Sequence, residues 1–424
     1  MGFQTLRGTT DLLPDELTRW SKVEHTVRRL ARLYGYREIR TPLIEEASLF
    51  LRSVGETTDI VQKEMFRFAD RGGQEIVLRP EGTASVVRAY VEHSLDKTEG
   101  FAKLFYLGAM FRAERPQAGR YRQFHQYGVE AIGSSSPWTD VEVIALCVHI
   151  LRECGVTDIS VWVASMGCRK DQARSAEELR QQLEPHKSTL CQECRARLER
   201  NVFRVLDCKQ PDCHAIAWKN MKLFSLCDEC AVHFDDVRRG LKENGIAFDD
   251  TQSFARGLDY YTGTVFEVRA KGLGAQDAVA AGGRYNHLVE ELGGPAVGAV
   301  GFAAGIERVL MAAGHQGTKT PTTSRRGAYI AVTNAALIGH GFQFVQQLRQ
   351  RGVCATMDYE AKSLKSQFRE ADKAQAQFVA ILGEAEVKQR AVTLKDLEKG
   401  NQEAIPFDSF VDTLVQRTGS SSCH

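Results

Sequence analysis

The sequence predicts an α+β protein of two to three domains, and three observations carry that expectation. Short strand-like runs paired across turns recur in the first half, at 66–79 and 104–132. From Gly167 to about Asp250 the chain becomes charged, helix-rich and rich in cysteine. A Gly/Thr/Ser-rich stretch at 313–326 then sets apart a segment in which strands and helices alternate. The expected organisation is one split domain (1–166 and 251–318), a helical insertion (167–250), a linker (319–326) and a small α/β domain (327–424). A length of 424 residues leaves ample core for it.

Composition narrows the class. A hydrophobic content of 43% with 26% charged residues is that of a soluble globular chain. A net charge of +1 provides no global basic field, so any nucleic-acid contact must use local patches. The N-terminus lacks the apolar stretch of a signal peptide, and Leu6 stands where a myristoylation pattern needs Ser or Thr. No apolar run reaches membrane-spanning length, so a cytoplasmic protein without membrane association is expected.

Taken in order, 15–33 reads as a helix, with Leu17, Trp20, Val23, Val27, Leu30 and Leu33 at three- and four-residue steps and Gly35 as its stop. Tyr36–Arg40 follows as a strand, and Pro42 places it at a sheet edge, a candidate dimer surface. The hairpin 66–79 turns at Gly72-Gly73 and ends in Pro80-Glu81-Gly82-Thr83, a strand-to-helix corner. Thr83 can serve there as a plain helix cap, whereas Glu81 needs a cation or water. In the hairpin 104–132 the second strand places Arg122, Phe124, Gln126, Gly128 and Glu130 on one face. Cation, aromatic, amide and carboxylate together suit a nucleotide beside an amino acid; a solvated face is the plainer alternative and exposes Phe124. A helix is expected at 140–154 and a strand at 160–164.

Six of the eleven cysteines fall between Cys191 and Cys230, where even scattering would put roughly one. The pattern is Cys-x-x-Cys at 191/194 and 227/230, with Cys208 and Cys213 between. The two Cys-x-x-Cys pairs make Cys191, Cys194, Cys227 and Cys230 the expected zinc ligands, although their separation is wider than in a zinc ribbon. The alternative is a metal-free insertion with reduced thiols.

Arg256-Gly257-Leu258-Asp259-Tyr260-Tyr261-Thr262-Gly263 joins a planar cation, two tyrosines and glycines within eight residues. That suits the wall of a pocket for an anionic ligand as well as an ordinary strand and turn. Ala281-Gly282-Gly283-Arg284-Tyr285 forms a second Gly-rich corner. Arg308 falls in the first turn of a helix, where a cation is unfavourable unless an anion joins it or Glu307 or Glu267 pairs with it. The C-terminal segment should form a mixed sheet, and Lys362, Lys365, Arg369 and Lys373 mark either an RNA-facing edge or a solvated face.

Five of these segments stand in the order found in one family. Arg256–Gly263 resembles the histidine-binding signature of histidyl-tRNA synthetases, and 281–285 their second histidine-specific segment. Phe111–Pro116 with Arg122–Gln126 resembles class II motif 2, Gly298–Leu310 motif 3, and Tyr34–Glu45 motif 1. Lys362–Gln367 is similar to their anticodon-binding domain. Ala113, where an aromatic residue or His is common, and Asn286, where Asp is usual, depart from the pattern.

The resemblance implies a catalytic domain built on an antiparallel class II sheet of six to seven strands flanked by helices, a C-terminal α/β anticodon-binding domain, and a homodimer. It implies activation of L-histidine by ATP with Mg²⁺, then transfer to tRNA(His). It also implies roles: Glu81, Thr83 and Gln126 for the histidine ammonium, and Glu130 and Tyr261 for the imidazole, with Tyr285 nearby. Arg112 and Glu114 fall to ATP, Phe124 and Arg308 to adenine, and Arg256 to the histidine carboxylate and α-phosphate. Arg115, Gln117 and Arg122 fall to the tRNA acceptor end. A regulatory, non-aminoacylating paralogue and a zinc-finger nucleic-acid binder are the competing readings.

Overall fold

The structure is a computed structural model and describes residues 2–55, 58–117, 119–208, 210–220, 225–250, 260–273, 277–315 and 325–418. The chain forms two compact units, Met1–Lys319 and Thr320–His424. Among the described residues no helix is long and apolar enough to cross a membrane.

The first unit begins with α1 (Pro14–Leu33), opened by Pro14 and by Asp15 and Glu16 in its first turn. Trp20, Val23, Val27 and Leu30 are its buried stripe, while Leu17 and Leu33 lie exposed on its flank. The edge strand β1 (Arg37–Glu38) follows. Next come β2 (Ile44–Glu46), α2 (Ala47–Val54), β3 (Phe66–Ala69) and β4 (Glu75–Leu78). These strands form a three-stranded sheet in the order β2-β4-β3, turned at Gly73 with φ 84°. α3 (Thr83–Glu92) and α4 (Leu95–Glu99) lead to the long hairpin β5 (Ala102–Phe111) and β6 (Gln123–Ile132).

α5 (Pro137–Glu153) begins earlier than its apolar period suggests, because Pro137 takes the first helical position and Ser136 accepts from the Trp138 amide. β7 (Ile159–Ser165) precedes the insertion, which holds α6 (Arg169–Leu183), α7 (Gln192–Arg200), α8 (Pro211–Asn220) and α9 (Asp228–Glu243). β8 (Thr262–Ala270), β9 (Ala278–Arg284), α10 (Leu288–Glu291), β10 (Ala299–Gly305) and α11 (Ile306–His315) complete the unit.

Its main sheet has seven strands in the order β1-β5-β6-β10-β9-β8-β7. Every neighbouring pair is antiparallel except β1–β5. The two-residue period divides the side chains between two cores. Phe105, Tyr127, Val129, Phe266 and Phe302 pack with α1, α5 and α11 residues such as Leu30, Ile144 and Val309. Leu104, Tyr106, Met110, Tyr261 and Tyr285 pack on the opposite face with Val86 and Tyr90 of α3. The register pairs Leu104 with Glu130, Gly108 with Gln126 and Met110 with Phe124, so Phe124, Gln126, Gly128 and Glu130 share this second face.

The second unit carries β11 (Ala328–Val332), α12 (Ile338–Gln350), β12 (Ala355–Met357), α13 (Leu364–Lys373) and β13 (Phe378–Leu382). It ends with α14 (Glu384–Gln389), β14 (Ala391–Asp396), β15 (Gln402–Pro406) and α15 (Phe407–Thr418). The sheet order β12-β11-β13-β14-β15 is mixed, with parallel pairing on both sides of β11. The periodicity does not reveal β15: its residues are polar except Ala404, Ile405 and the closing Pro406, and only Ile405 is buried. Edge strands tolerate that pattern.

Candidate active site

The second face of the main sheet holds a carboxylate at its centre. Glu130 is fully buried; Thr83 Oγ1 donates to its Oε1 at 2.7 Å and Tyr285 Oη to its Oε2 at 2.5 Å. Burial pushes the Glu130 carboxyl up to about 8, against the pull of those two hydroxyls and with Glu81 adding to the rise. Backbone clearance makes this position possible. A Cβ on Gly301, which is paired with Glu130 across β10, would lie 1.9 Å from Glu130 Oε2. A Cβ on Gly128 would lie 2.4 Å from the Tyr106 hydroxyl.

Thr83 is not the side-chain cap of α3. Glu81 takes that work, accepting from the amides of Thr83 at 2.7 Å and Ala84 at 2.8 Å. The Thr83 hydroxyl is thereby left for Glu130. Burial raises the Glu81 carboxyl, while those amides and the nearby Arg112 lower it. Tyr260, Tyr261 and Tyr285 close the wall, with Tyr260 ring centroids 4.8 Å from Tyr261 and 5.8 Å from Tyr285. The Tyr106 hydroxyl and Gln126 Oε1 are buried here without a hydrogen-bond partner. Buried polar atoms of that kind are costly unless something completes them.

Beside this wall opens a cavity of about 490 Å³, lined by Arg112, Glu114, Arg120, Phe124, Gln126 and Arg308 among others. The Arg112 guanidinium lies 5.3 Å from the Phe124 ring centroid, and its Nε donates to the Pro80 carbonyl at 3.0 Å. Glu114 pairs with Arg120 at 2.7 Å and reaches Arg112 at 4.0 Å. Arg308 Nε donates to the Ala278 carbonyl at 2.7 Å, and burial followed by the Arg120 charge lowers its pKa. Glu307, a candidate partner for Arg308 by sequence, instead accepts from the His125 amide at 2.8 Å.

The structure thus brings Glu81, Thr83, Gln126, Glu130, Tyr261 and Tyr285 to one wall, and Arg112, Glu114, Phe124 and Arg308 to the adjoining cavity. Arg115 and Gln117 line a neighbouring cleft of about 700 Å³ with Lys63 and Glu64. Arg122 does not line that cleft; its amide donates to the Gly8 carbonyl at 2.7 Å and its side chain reaches the Glu114 carbonyl. Arg256 lies outside the described residues.

Tyr106, Arg120, Arg269 and Asp277 were not singled out from the sequence, and Glu267 only as a partner for Arg308. Tyr106 shares its sheet face with Gly128 across the hairpin, and an inward tyrosine opposite glycine was the available signal. Glu267 and Arg269 alternate along β8 and pair with each other at 2.5 Å, a polar period inside an otherwise apolar strand.

The four expected zinc ligands do not converge. Cys191 and Cys194 converge with Cys208 and Cys213, whereas Cys227 and Cys230 converge with Cys168 and Asp171. The chain leaves Cys194 along α7, turns through a short 3-10 helix at Val202–Asp207 and re-enters at α8, which returns the middle cysteines to the first pair. Cys227 begins α9 instead, and its amide donates to Asp171 in the first turn of α6 at 3.1 Å. The loop from Cys194 to Cys208 is the shorter route for the first pair, while the return of α9 onto the start of α6 gives the second pair its neighbours.

A seven-stranded sheet, antiparallel but for its edge strand β1, carrying an Arg/Phe-lined cavity on its hairpin and followed by a mixed α/β unit, defines the class II aminoacyl-tRNA synthetase architecture. The family model for histidyl-tRNA synthetase matches residues 8–309, and that for the anticodon-binding domain matches 328–417. The chain belongs to the histidyl-tRNA synthetase family. It is 45% identical over 415 residues to the histidine–tRNA ligase of Halothermothrix orenii, covering 98% of this chain and 99% of that protein. It is 46% identical over 407 residues to that of Moorella thermoacetica, covering 96% of each. The apo histidyl-tRNA synthetase of S. aureus superposes with a TM-score of 0.82 at 32% identity, covering 97% of this chain and all of that one.

Proposed function

We propose that the chain activates L-histidine with MgATP to histidyl-adenylate and transfers the histidyl group to the 3′ end of tRNA(His). The observation that carries this reading is Glu130: a buried carboxylate held between two hydroxyls, on the strand face whose Phe124 and Gln126 line a cavity with Arg112, Arg120 and Arg308. A carboxylate so placed accepts a ring N–H, and a site built for that bond rejects amino acids lacking it.

In this reading Glu130 and Tyr261 hold the imidazole, with Tyr285 fixing Glu130 from behind. Glu81, Thr83 and Gln126 face the histidine ammonium; Gln126 Oε1 gains the donor it lacks. Phe124 and Arg308 sandwich adenine, and Arg112 meets the α-phosphate with Glu114 alongside. Magnesium arrives with ATP as part of the substrate; Glu114, Glu267 and Asp277 line the cavity with the oxygen donors a hard cation takes. A histidine carboxylate oxygen attacks the α-phosphorus and pyrophosphate leaves. Arg256 bridges that carboxylate and the α-phosphate, stabilising charge at the pentavalent centre. The terminal ribose hydroxyl of tRNA then attacks the acyl carbon, its proton departs, and AMP is released. Arg115, Gln117 and Arg122 contact the acceptor end. The protein works as a homodimer in the cytoplasm.

The test is charging of tRNA(His) transcript together with histidine-dependent pyrophosphate exchange. Charging of tRNA(His) by histidine alone among the twenty amino acids is the expected result. Absence of both reactions in folded protein would favour the non-aminoacylating regulatory paralogue.

A further inference from the structure

From the geometry of the insertion we infer a structural zinc site made of four thiolates, Cys191, Cys194, Cys208 and Cys213. Their sulfur atoms all lie within 4.8 Å of one another. Cys191 Sγ and Cys208 Sγ are 3.9 Å apart. Four thiolates at about 2.3 Å from a tetrahedral zinc stand about 3.8 Å apart, so a contraction of at most about 1 Å brings the sulfurs to the corners such an ion needs. The four cysteines are free thiols rather than disulfides.

Backbone amides and helix ends surround the sulfurs. Three backbone amides point at sulfur: Cys194 N to Cys191 Sγ at 3.4 Å, Cys191 N to Cys213 Sγ at 3.1 Å, and Gln210 N to Cys208 Sγ at 3.4 Å. Such contacts fix the orientation of metal ligands and offset their charge. Cys191 is the N-cap of α7, and Cys213 lies in the first turn of α8, so two of the ligands stand at the positive ends of helices.

The insertion also has a use for an ion. Its own core is small, built from Leu179, Leu183, Leu198, Val205 and a few neighbours together with three of the four cysteines. A core of that size gains from a metal staple. The ligands come from the start of α7, from the segment after the 3-10 helix and from the start of α8, so one ion closes the two turns that join these elements.

The second thiol group does not make an equivalent site. Its carboxylate, Asp171, is already taken by the amides of Cys168 at 3.3 Å and Cys227 at 3.1 Å and by Arg174 at 2.8 Å. Asp171 thereby ties the first turn of α6 to the first turn of α9, and the metal falls to the four-thiol group alone.

Metal content of the untagged full-length protein, measured by elemental analysis, tests this. The expected result is about one zinc per chain, with X-ray absorption showing four sulfur neighbours. The metal should be lost in Cys208→Ser and in Cys213→Ser and retained in the double variant Cys227→Ser/Cys230→Ser. Should the single variants fail to fold, the X-ray absorption spectrum and Co²⁺ exchange of the wild-type protein still decide. Thiolate-to-cobalt charge-transfer bands with tetrahedral ligand-field bands support the assignment. A zinc-free wild-type protein with all thiols free to titrate overturns it. So does an ion with two or fewer sulfur neighbours, or one that leaves with Cys227 and stays without Cys208.

Discussion

Glu130→Gln should separate stability from activity. In the folded chain the Glu130 carboxyl is pushed from 4.5 up to about 8, chiefly by burial. A carboxyl raised on folding binds its proton more tightly in the native state, so native stability falls as pH rises through the window between those two values. The shift corresponds to a ceiling of about 5 kcal/mol of stability missing above pH 8 and fully restored below about pH 4.5. Glutamine keeps the shape and carries no charge. Its carbonyl accepts from one of the two hydroxyls, and the other hydroxyl turns to accept from its amide. The variant should therefore match wild type near pH 5 and exceed it increasingly toward pH 8.5, by several degrees in Tm for this unit. Histidine activation should move the other way. Losing a charged acceptor for a ring N–H costs about 1.5–3 kcal/mol, roughly 10- to 150-fold in kcat/KM for histidine, while KM for ATP stays put. Thermal unfolding across pH, run beside pyrophosphate exchange, reads both effects. A stability difference that is flat with pH, or a variant less stable than wild type at pH 8.5, would refute the claim that Glu130 is held in place at a cost.

Histidine should bind more tightly as pH rises from 6 toward 8 in wild type, because both Glu130 and the imidazole must lose a proton; a pH-independent KM for histidine would contradict this. Gly301→Ala drives a methyl against Glu130 Oε2, and should abolish histidine-dependent exchange and destabilise by about 1–3 kcal/mol, as chemical denaturation would show. Arg256→Ala should abolish histidine-dependent pyrophosphate exchange while ATP still binds by calorimetry, and substantial remaining exchange would remove its assigned role. Arg112→Ala should raise KM for ATP at least tenfold, since it takes away both a phosphate contact and the partner of the Phe124 ring.

Much of the catalytic wall was legible because a strand displays its chemistry with a period of two. Phe124, Gln126 and Glu130 could be placed on one face from spacing alone, and the register with β5 bears that out. What spacing cannot supply is which distant residue completes each group. Thr83 reads as a helix cap until Glu81 takes the amides and leaves its hydroxyl for Glu130. Arg284 is only one residue of a Gly-rich corner by sequence, and its partner Asp140 comes from the first turn of α5, both side chains almost wholly buried. That pair anchors the Gly-rich corner that positions Tyr285; it is architecture 144 residues apart in sequence. The four expected zinc ligands separate for a related reason: pattern symmetry favours like pairs, whereas the fold sets Cys208 and Cys213 beside the first pair and Cys168 and Asp171 beside the second.

The insertion and the catalytic wall are joined through backbone rather than set side by side. The Met166 amide donates to the Gly263 carbonyl at 2.7 Å, and the Gly263 amide to the Gly167 carbonyl at 2.8 Å. Gln172, in the first turns of α6, donates from its side chain to the carbonyl of Tyr261 at 3.0 Å. The segment that presents Tyr261 to the site is therefore held on one side by β9 and on the other by the entrance to the insertion. Gly263 can serve in this junction because its φ of 55° lets the strand turn there with both backbone groups engaged. A rigid insertion fixes where α6 begins, α6 fixes Gln172, and Gln172 fixes the backbone of Tyr261. The clasp inferred at Cys191, Cys194, Cys208 and Cys213 stands at the far end of that chain of contacts. Arg180 of α6 donates to the Leu198 carbonyl of α7 at 3.0 Å, so the helix that carries Cys194 is tied to the helix whose Gln172 holds the Tyr261 backbone.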